Sequence, residues 1–256
     1  RQAPTDNLEA YDSFLRGQMY MWPSTQEANV QARQLFERAI ELDPQYAGAY
    51  AALSWAYLQE WLLQWNQEPQ LPAQAFVLAQ RAVVLNDSLP MAHTMLGLAY
   101  LLQKQHEQAI TEGQKAITLG PNYAEGYALL GTIFNFAGRP AEAIAMVQQA
   151  IRLNPHDPFL SLFRLGFAHR VMGRHAEAIT TLKRVLIRNP DYLPAHSELL
   201  VAYSESGHEV EARAEAAEIL RLSPNWSLEV WKQRMPYKDP AMLERHLAAL
   251  RKAGLK

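Results

Sequence analysis

A proline returns along this chain at a nearly constant interval. Pro121, Pro155, Pro190 and Pro224 lie 34, 35 and 34 residues apart, and each closes a short run: LGP, LNP, RNP and LSP. An earlier LDP ends at Pro44, and LND ending at Asp87 divides the gap to Pro121 into 43 and 34 residues. Proline cannot continue a helix, and it biases the residue before it away from helical geometry. Punctuation at this period therefore predicts one helix–turn–helix unit used repeatedly. Such a unit cannot bury its own apolar face, so neighbours must stack, and the stack offers a surface rather than a reaction centre.

The residues between the prolines repeat as well. In the second helix of six units a small residue recurs at Ala32, Ala75, Ala109, Ala143, Ala178 and Ala212. Seven residues later stand Ala39, Ala82, Ala116, Ala150, Val185 and Ile219. In the first helix a small residue recurs at Gly17, Ser54, Gly97, Gly131 and Gly166, and Leu200 breaks the pattern. Small side chains at facing positions let two helices approach closely, which predicts tight hairpins. A ring follows three residues later (Tyr20, Tyr57, Tyr100, Phe134, His169, Tyr203), and these rings are expected to fill the space between hairpins. Gly138, Gly173 and Gly207 stand where the first helix must stop. After Pro224, Trp226, Val230 and Trp231 predict one more helix. Asp239-Pro240 then starts a last one, with Leu243, Leu247 and Leu250 as its apolar stripe.

Blocks such as AYLLQKQHEQAITEGQKAITLGPNYAEGYALLG and FAGRPAEAIAMVQQAIRLNP resemble tetratricopeptide repeats, and the resemblance covers about residues 8–224. It implies an all-α fold: a right-handed superhelix, or α-solenoid, of about six helix-turn-helix repeats with C-terminal capping helices. The expected units are a divergent first repeat at 8–44, a repeat at 46–87 carrying an insertion at 61–72, and regular repeats at 90–121, 124–155, 158–190 and 193–224. A cap follows at 226–253, and the whole of 1–256 is expected to form a single domain. The opening PTDNLEAYDSFLRG and the closing KDPAMLERHLAALRKAGL resemble the borders of arrays that follow the catalytic domain in bacterial class III adenylate/guanylate cyclase fusions. Similar arrays follow winged-helix DNA-binding domains in some bacterial transcription regulators.

Composition narrows the function classes. Apolar residues make up 49% and charged residues 20%, which is a folded composition rather than a disordered one. A net charge of −2 gives no global attraction to nucleic acid or anionic membrane. Basic residues are densest at Arg164, Arg170, Arg174, Lys183, Arg184 and Arg188. That cluster reads as a solvated convex face, with a docking patch for an acidic partner as the alternative. No cysteine is present, so disulfides, thiolate zinc sites and cysteine nucleophiles are excluded. The uncharged stretch 46–59 is too short to span a bilayer. No signal peptide opens the chain, and a start at Arg1 is expected of a fragment of a longer, cytoplasmic protein.

Catalytic motifs fail one by one. His106-Glu107 and His208-Glu209 begin an HExxH pattern, but Ile110 and Ala212 stand where the second histidine would have to be. The Gly126 to Gly131 pair is followed by Thr132 instead of lysine, and no GxSxG elbow exists. His93 and His196 occupy equivalent places in two first helices, where packing is the expected role. The chain is therefore expected to be no enzyme, with no cofactor and no metal.

The resemblance also implies where a partner sits. In that family the first helices line the concave face. Carrying the register over points Trp55, Gln59, Met91, Leu98, Leu102, Thr132, Asn135, Phe136, Phe163, Phe167 and Arg170 into it. Ala51, Thr94, Ala128, Phe163 and Ser197 stand where the lysine of a carboxylate clamp would be, so a C-terminal acidic peptide is not the expected ligand. Leading into the insertion, Trp55, Leu58, Leu62 and Trp65 keep helical spacing, which predicts a first helix running on about two turns to Asn66. Trp61, Leu62 and Trp65 either pack on the N-terminal hairpin or form an apolar handle for a partner or a second copy. The leading expectation is a protein-interaction scaffold that takes a protein or peptide partner in its groove, with no nucleic acid and no membrane insertion. The alternatives are a regulatory arm for an attached nucleotide cyclase or DNA-binding domain, and a helical repeat that binds nucleic acid.

Overall fold

The computed structural model describes residues 5–21, 25–66, 68–156 and 158–256. Among them are fourteen helices and no strand. Pro4, which opens the N-terminal border block, lies outside the described residues. The helices fall into two compact units, Arg1–Pro121 and Asn122–Lys256.

The first unit holds three hairpins: α1 (Leu8–Met21) with α2 (Gln26–Leu42), α3 (Ala47–Leu62) with α4 (Leu71–Leu85), and α5 (Pro90–Leu102) with α6 (His106–Leu119). The second holds α7 (Ala124–Phe136) with α8 (Pro140–Leu153), α9 (Phe159–Val171) with α10 (His175–Arg188), and α11 (Leu193–Glu205) with α12 (Glu209–Leu222). It closes with α13 (Leu228–Arg234) and α14 (Pro240–Lys252). The recurring prolines do what the period predicts. The helices α2, α6, α8, α10 and α12 each end two residues before one of them. Trp226 precedes α13 rather than lying in it. Asp239 caps α14, its carboxylate accepting from the Ala241 amide at 2.8 Å.

The small residues set the hairpin spacing. The six recurrent alanines of the second helices are buried. A methyl group placed on Gly131 would stand 2.6 Å from Val147 Cγ2 and 3.2 Å from the Ala143 carbonyl oxygen. In the second hairpin Ser54 takes the place of glycine and donates to the Ala75 carbonyl at 2.8 Å. The rings link hairpins in three places. Arg33 of α2 lies over Tyr57 of α3 at 4.4 Å, Phe76 of α4 meets Tyr100 of α5 at 5.1 Å, and Lys183 of α10 lies over Tyr203 of α11 at 5.6 Å.

Five first helices end alike, in a left-handed residue followed by an amide that reaches back to the last turn. Gly138, Gly173 and Gly207 supply it in the second unit, at φ between 74° and 82°. In the first unit the same place falls to Gln64 (φ 59°) and Lys104 (φ 61°). This motif corrects the expected run of α3 to Asn66. The Trp65 amide bonds the Glu60 carbonyl at 3.1 Å, as Gln105 bonds Tyr100 at 2.9 Å, so the helix stops at Leu62. From its small residue to its end α3 is one turn longer than α5, not two. A side chain in the left-handed region costs about 1–2 kcal/mol, and glycine returns roughly 0.5–1 of that as extra unfolded-state entropy. Lys104→Gly is therefore expected to raise stability by about 0.5–1 kcal/mol. An unchanged or lowered urea midpoint would show that Lys104 is unstrained.

Candidate partner-binding face

In the second unit, the first helices α7, α9 and α11 carry the residues expected to face a partner. The structure covers several of them. Arg170 of α9 and Glu198 of α11 form a buried ion pair through Nε. Arg170 Nη2 also donates to the Tyr237 hydroxyl at 2.9 Å. Tyr237 lies between α13 and α14, in a segment without helix. Its ring meets Phe136 edge-on at 5.0 Å and Phe167 at 6.3 Å. Its hydroxyl reaches His246 Nδ1 of α14 at 2.9 Å. One residue on, the Lys238 amide donates to the Phe136 carbonyl at 2.9 Å, satisfying an oxygen that the end of α7 leaves open.

These contacts form a directed chain. Burial works against the charge on Arg170, but the Glu198 carboxylate and then Tyr237 hold its pKa above the ordinary arginine value. Burial, and then the Arg170 charge, hold His246 well below the usual histidine value. The ring is therefore neutral, its Nδ1 accepts the Tyr237 proton, and its Nε2 is buried without a partner among the described residues.

Arg164 builds a second polar cluster. Its Nε donates to Thr132 Oγ1 at 3.1 Å and its Nη2 to Glu125 Oε1 at 3.0 Å. Asn135 is fully buried and donates to the Arg164 carbonyl at 3.1 Å. Tyr192 packs on Phe159 at 5.1 Å and on Phe163 at 5.3 Å, and burial pushes its phenol up to about 12. Asn135 and Arg170 are thus internal ties between helices, which corrects their expected role as groups open to a ligand. Phe167 is only 2% exposed, while Thr132, Phe136 and Phe163 remain half-buried.

The first unit has its own inner-helix residues. Leu98 is buried, and so is Gln59, whose Oε1 accepts from Asn29 Nδ2 at 3.0 Å. Trp55, Met91 and Leu102 are half-buried. So are Trp61, Leu62 and Trp65 in the insertion, where Gln26 Nε2 bonds the Trp65 carbonyl at 3.4 Å. The insertion thus touches the N-terminal hairpin through the Trp65 carbonyl.

His93 and His196 were expected to pack, and they do so in one shared arrangement. Each ring places Nδ1 at 2.6 Å from a glutamate nineteen residues on, Glu112 or Glu215. Each places Nε2 at 2.7 Å from a carbonyl six residues back, that of Asp87 or Pro190. The His-x18-Glu spacing is visible in the sequence but is not a motif that periodicity singles out. At His196 the two acceptors ask for two N–H donors, which only the protonated ring supplies. Burial opposes the charge on His196, but the bonds to Glu215 and to the Pro190 carbonyl outweigh it and raise its pKa. A raised folded pKa gives stability that is complete below about 6.5, the unfolded value, and lost as pH rises through the folded one. The stability gap between the unaltered chain and His196→Leu is expected to shrink from pH 6 to pH 9. A gap independent of pH would mean that the ring stays neutral.

Comparison with known proteins follows the same lines. Family models described as tetratricopeptide repeat match residues 74–124, 128–191 and 172–232. Over 102 residues the chain is 35% identical to a Rhizobium meliloti (strain 1021) protein named "Putative adenylate cyclase 3". That stretch is 40% of this chain and only 17% of the relative. Among solved structures, a thermophilic TPR protein of Thermus thermophilus is similar with a TM-score of 0.58 at 21% identity, over 75% of this chain and 98% of its own. The pilus biogenesis factor PilW gives 0.59 at 19% identity, over 82% and 89%. The Cut9–Hcn1 assembly of the APC/C gives 0.63 at 17% identity, over 90% and 46%. The hairpins, their shared closing motif and the family models over more than half of the residues agree: this chain belongs to the tetratricopeptide repeat family.

Proposed function

We propose that the chain is an interaction scaffold that takes an extended peptide segment on its inner-helix face, as part of a larger bacterial signalling protein. Arrays of stacked hairpins act through surfaces. One observation supports an extended occupant in particular. The inner helices of the second unit already hold such a segment, residues 235–239, through a main-chain hydrogen bond and ring contacts. In the first unit the half-buried Trp55, Met91 and Leu102 offer apolar anchors of the kind a docked peptide uses. A second copy meeting the insertion at 61–72 is the competing occupant.

The partial likeness to the Rhizobium protein supports a parent with an attached nucleotide cyclase domain, for which this region is a regulatory arm. A cytoplasmic location goes with that parent. No described helix is long and apolar enough to cross a membrane. Phe167→Ala and Arg170→Ala are poor probes of binding, because both residues hold the fold. Trp55→Ala and Leu102→Ala are better, with Val84→Ala as a control on α4, where Val84 is exposed. The test is retention of the parent protein's remaining domains, supplied in trans. Loss with Trp55→Ala or Leu102→Ala alone is the expected result. Full retention by both folded variants would remove the inner face as the site.

A further inference from the structure

The segment from Met235 to Asp239 joins α13 to α14 and has no helical structure. The two sides of the cap have anchors of their own, beside the Tyr237 ring, which lies in the same core cluster and meets Trp231 at 6.4 Å and His246 at 5.8 Å. Trp226, Trp231, Leu247, Leu250 and Leu255 belong to one core cluster with Leu199, Leu200 and Ile219 of the last hairpin. The Leu228 amide bonds the Lys256 carbonyl at 2.9 Å, tying the start of α13 to the last residue. Between these anchors the segment reaches back to α7 and α9. Its ties are the Lys238 amide on the Phe136 carbonyl, the Tyr237 hydroxyl between Arg170 and His246, and the Tyr237 ring against Phe136 and Phe167. Nothing here resembles a continued helix pair. It resembles a peptide in a groove: one main-chain hydrogen bond for alignment and one side chain in a pocket for selectivity.

We propose that residues 235–239 are an internal ligand, a strap that occupies the inner face of the second unit and yields it to an extended peptide presenting a phenol side chain and, one residue later, a main-chain amide. The choice of occupant follows from what the face offers. The Phe136 carbonyl needs a donor that no helix supplies. The Arg170 guanidinium is already neutralised by Glu198, so a neutral hydroxyl acceptor suits it better than a second anion. Phe136 and Phe167 present ring edges and faces to an aromatic side chain. An incoming peptide must therefore displace the strap, while Trp226, Trp231 and α14 keep the cap in place. This rests on the interaction-scaffold reading and adds a gate to it: the strap competes with the partner, and apparent affinity falls by the fraction of chains with the strap open.

Two measurements on the full chain test this. The first is hydrogen exchange of the unaltered protein. The Lys238 amide is expected to exchange at least tenfold faster than the Leu247 and Leu250 amides, because the strap lifts while α14 stays folded. Equal protection would mean that the strap opens only with the cap, which overturns the proposal. The second uses a fluorescently labelled peptide with the sequence of residues 233–241. It is expected to bind the Tyr237→Ala chain at least tenfold more tightly than the unaltered chain, and to lose that binding when its own tyrosine is replaced by alanine. Equal binding to both chains, or none to a folded Tyr237→Ala chain, contradicts it. If Tyr237→Ala fails to fold, Tyr237→Phe takes its place, and the exchange measurement stands independently. Neither readout depends on the parent protein's domains, so failure here is separate from failure of the Trp55 and Leu102 variants.

Discussion

Glu198→Ala is expected to destabilise the second unit by about 3–5 kcal/mol, the cost of leaving a buried charge without its partner. Arg170 is 2% exposed and Glu198 is 6% exposed. The guanidinium has two side-chain partners, Glu198 and the Tyr237 hydroxyl, and only one of them carries charge. Removing the carboxylate leaves Arg170 charged against the Phe167 ring and the Tyr237 hydroxyl, with Glu205 as the remaining carboxylate that acts on it. The loss should spread along the directed chain, because Tyr237 takes its orientation from Arg170 and His246 takes its proton donor from Tyr237. Replacing both members, as in Arg170→Met with Glu198→Leu, removes the charge as well as its partner and should cost far less than either single change. Urea unfolding of Glu198→Ala, of Arg170→Met, of Glu198→Leu and of the double variant checks this. A double variant no better than the worse single one would show that the pair matters as geometry rather than as balanced charge.

Ala143→Leu is the second large effect, with an expected loss of about 1–3 kcal/mol from overpacking. Ala143 is fully buried on α8, and the α7 backbone at Gly131 passes so close that a single methyl there would meet the Ala143 carbonyl at 3.2 Å. Three further carbons have no room unless the hairpin opens. Opening it carries a second consequence: Phe136, at the end of α7, moves relative to Tyr237 and the Lys238 amide. The Lys238 amide should therefore lose protection in this variant along with global stability. An unchanged unfolding midpoint would place Ala143 off the contact between α7 and α8.

These two sites differ in how legible they are in the sequence. Ala143 belongs to a pattern that recurs six times, and a hairpin is local enough for its spacing to appear directly in the chain. The same holds for the prolines and for the left-handed glycines. Gln64 and Lys104 are not legible as helix ends, because side chains occupy a place that three other hairpins give to glycine. The length of α3 is hidden for the same reason. Apolar spacing through Trp65 suggests more helix, and the left-handed turn at Gln64 ends it. Register places Phe167 and Arg170 on the inner helices. Their burial is not legible, because what covers them comes from Tyr237, 67 residues beyond Arg170 and outside any repeat. The MPYKDP stretch has no periodicity to betray it. His93 and His196 show an intermediate case: the paired glutamates stand at equal spacing, yet only the closed hairpin brings Nδ1 to 2.6 Å from them.

Binding through the inner helices can be tested by placing a photo-crosslinking amino acid at Trp55, half-buried on α3, and separately at Val84, exposed on α4. Both chains are produced within the parent protein in its own cell, irradiated, and their adducts mapped by mass spectrometry. An inner-face scaffold predicts a defined adduct to one segment of a partner or parent domain from position 55 and none from position 84. An adduct from position 84 alone, or the same partner captured equally from both positions, would contradict binding on the inner face.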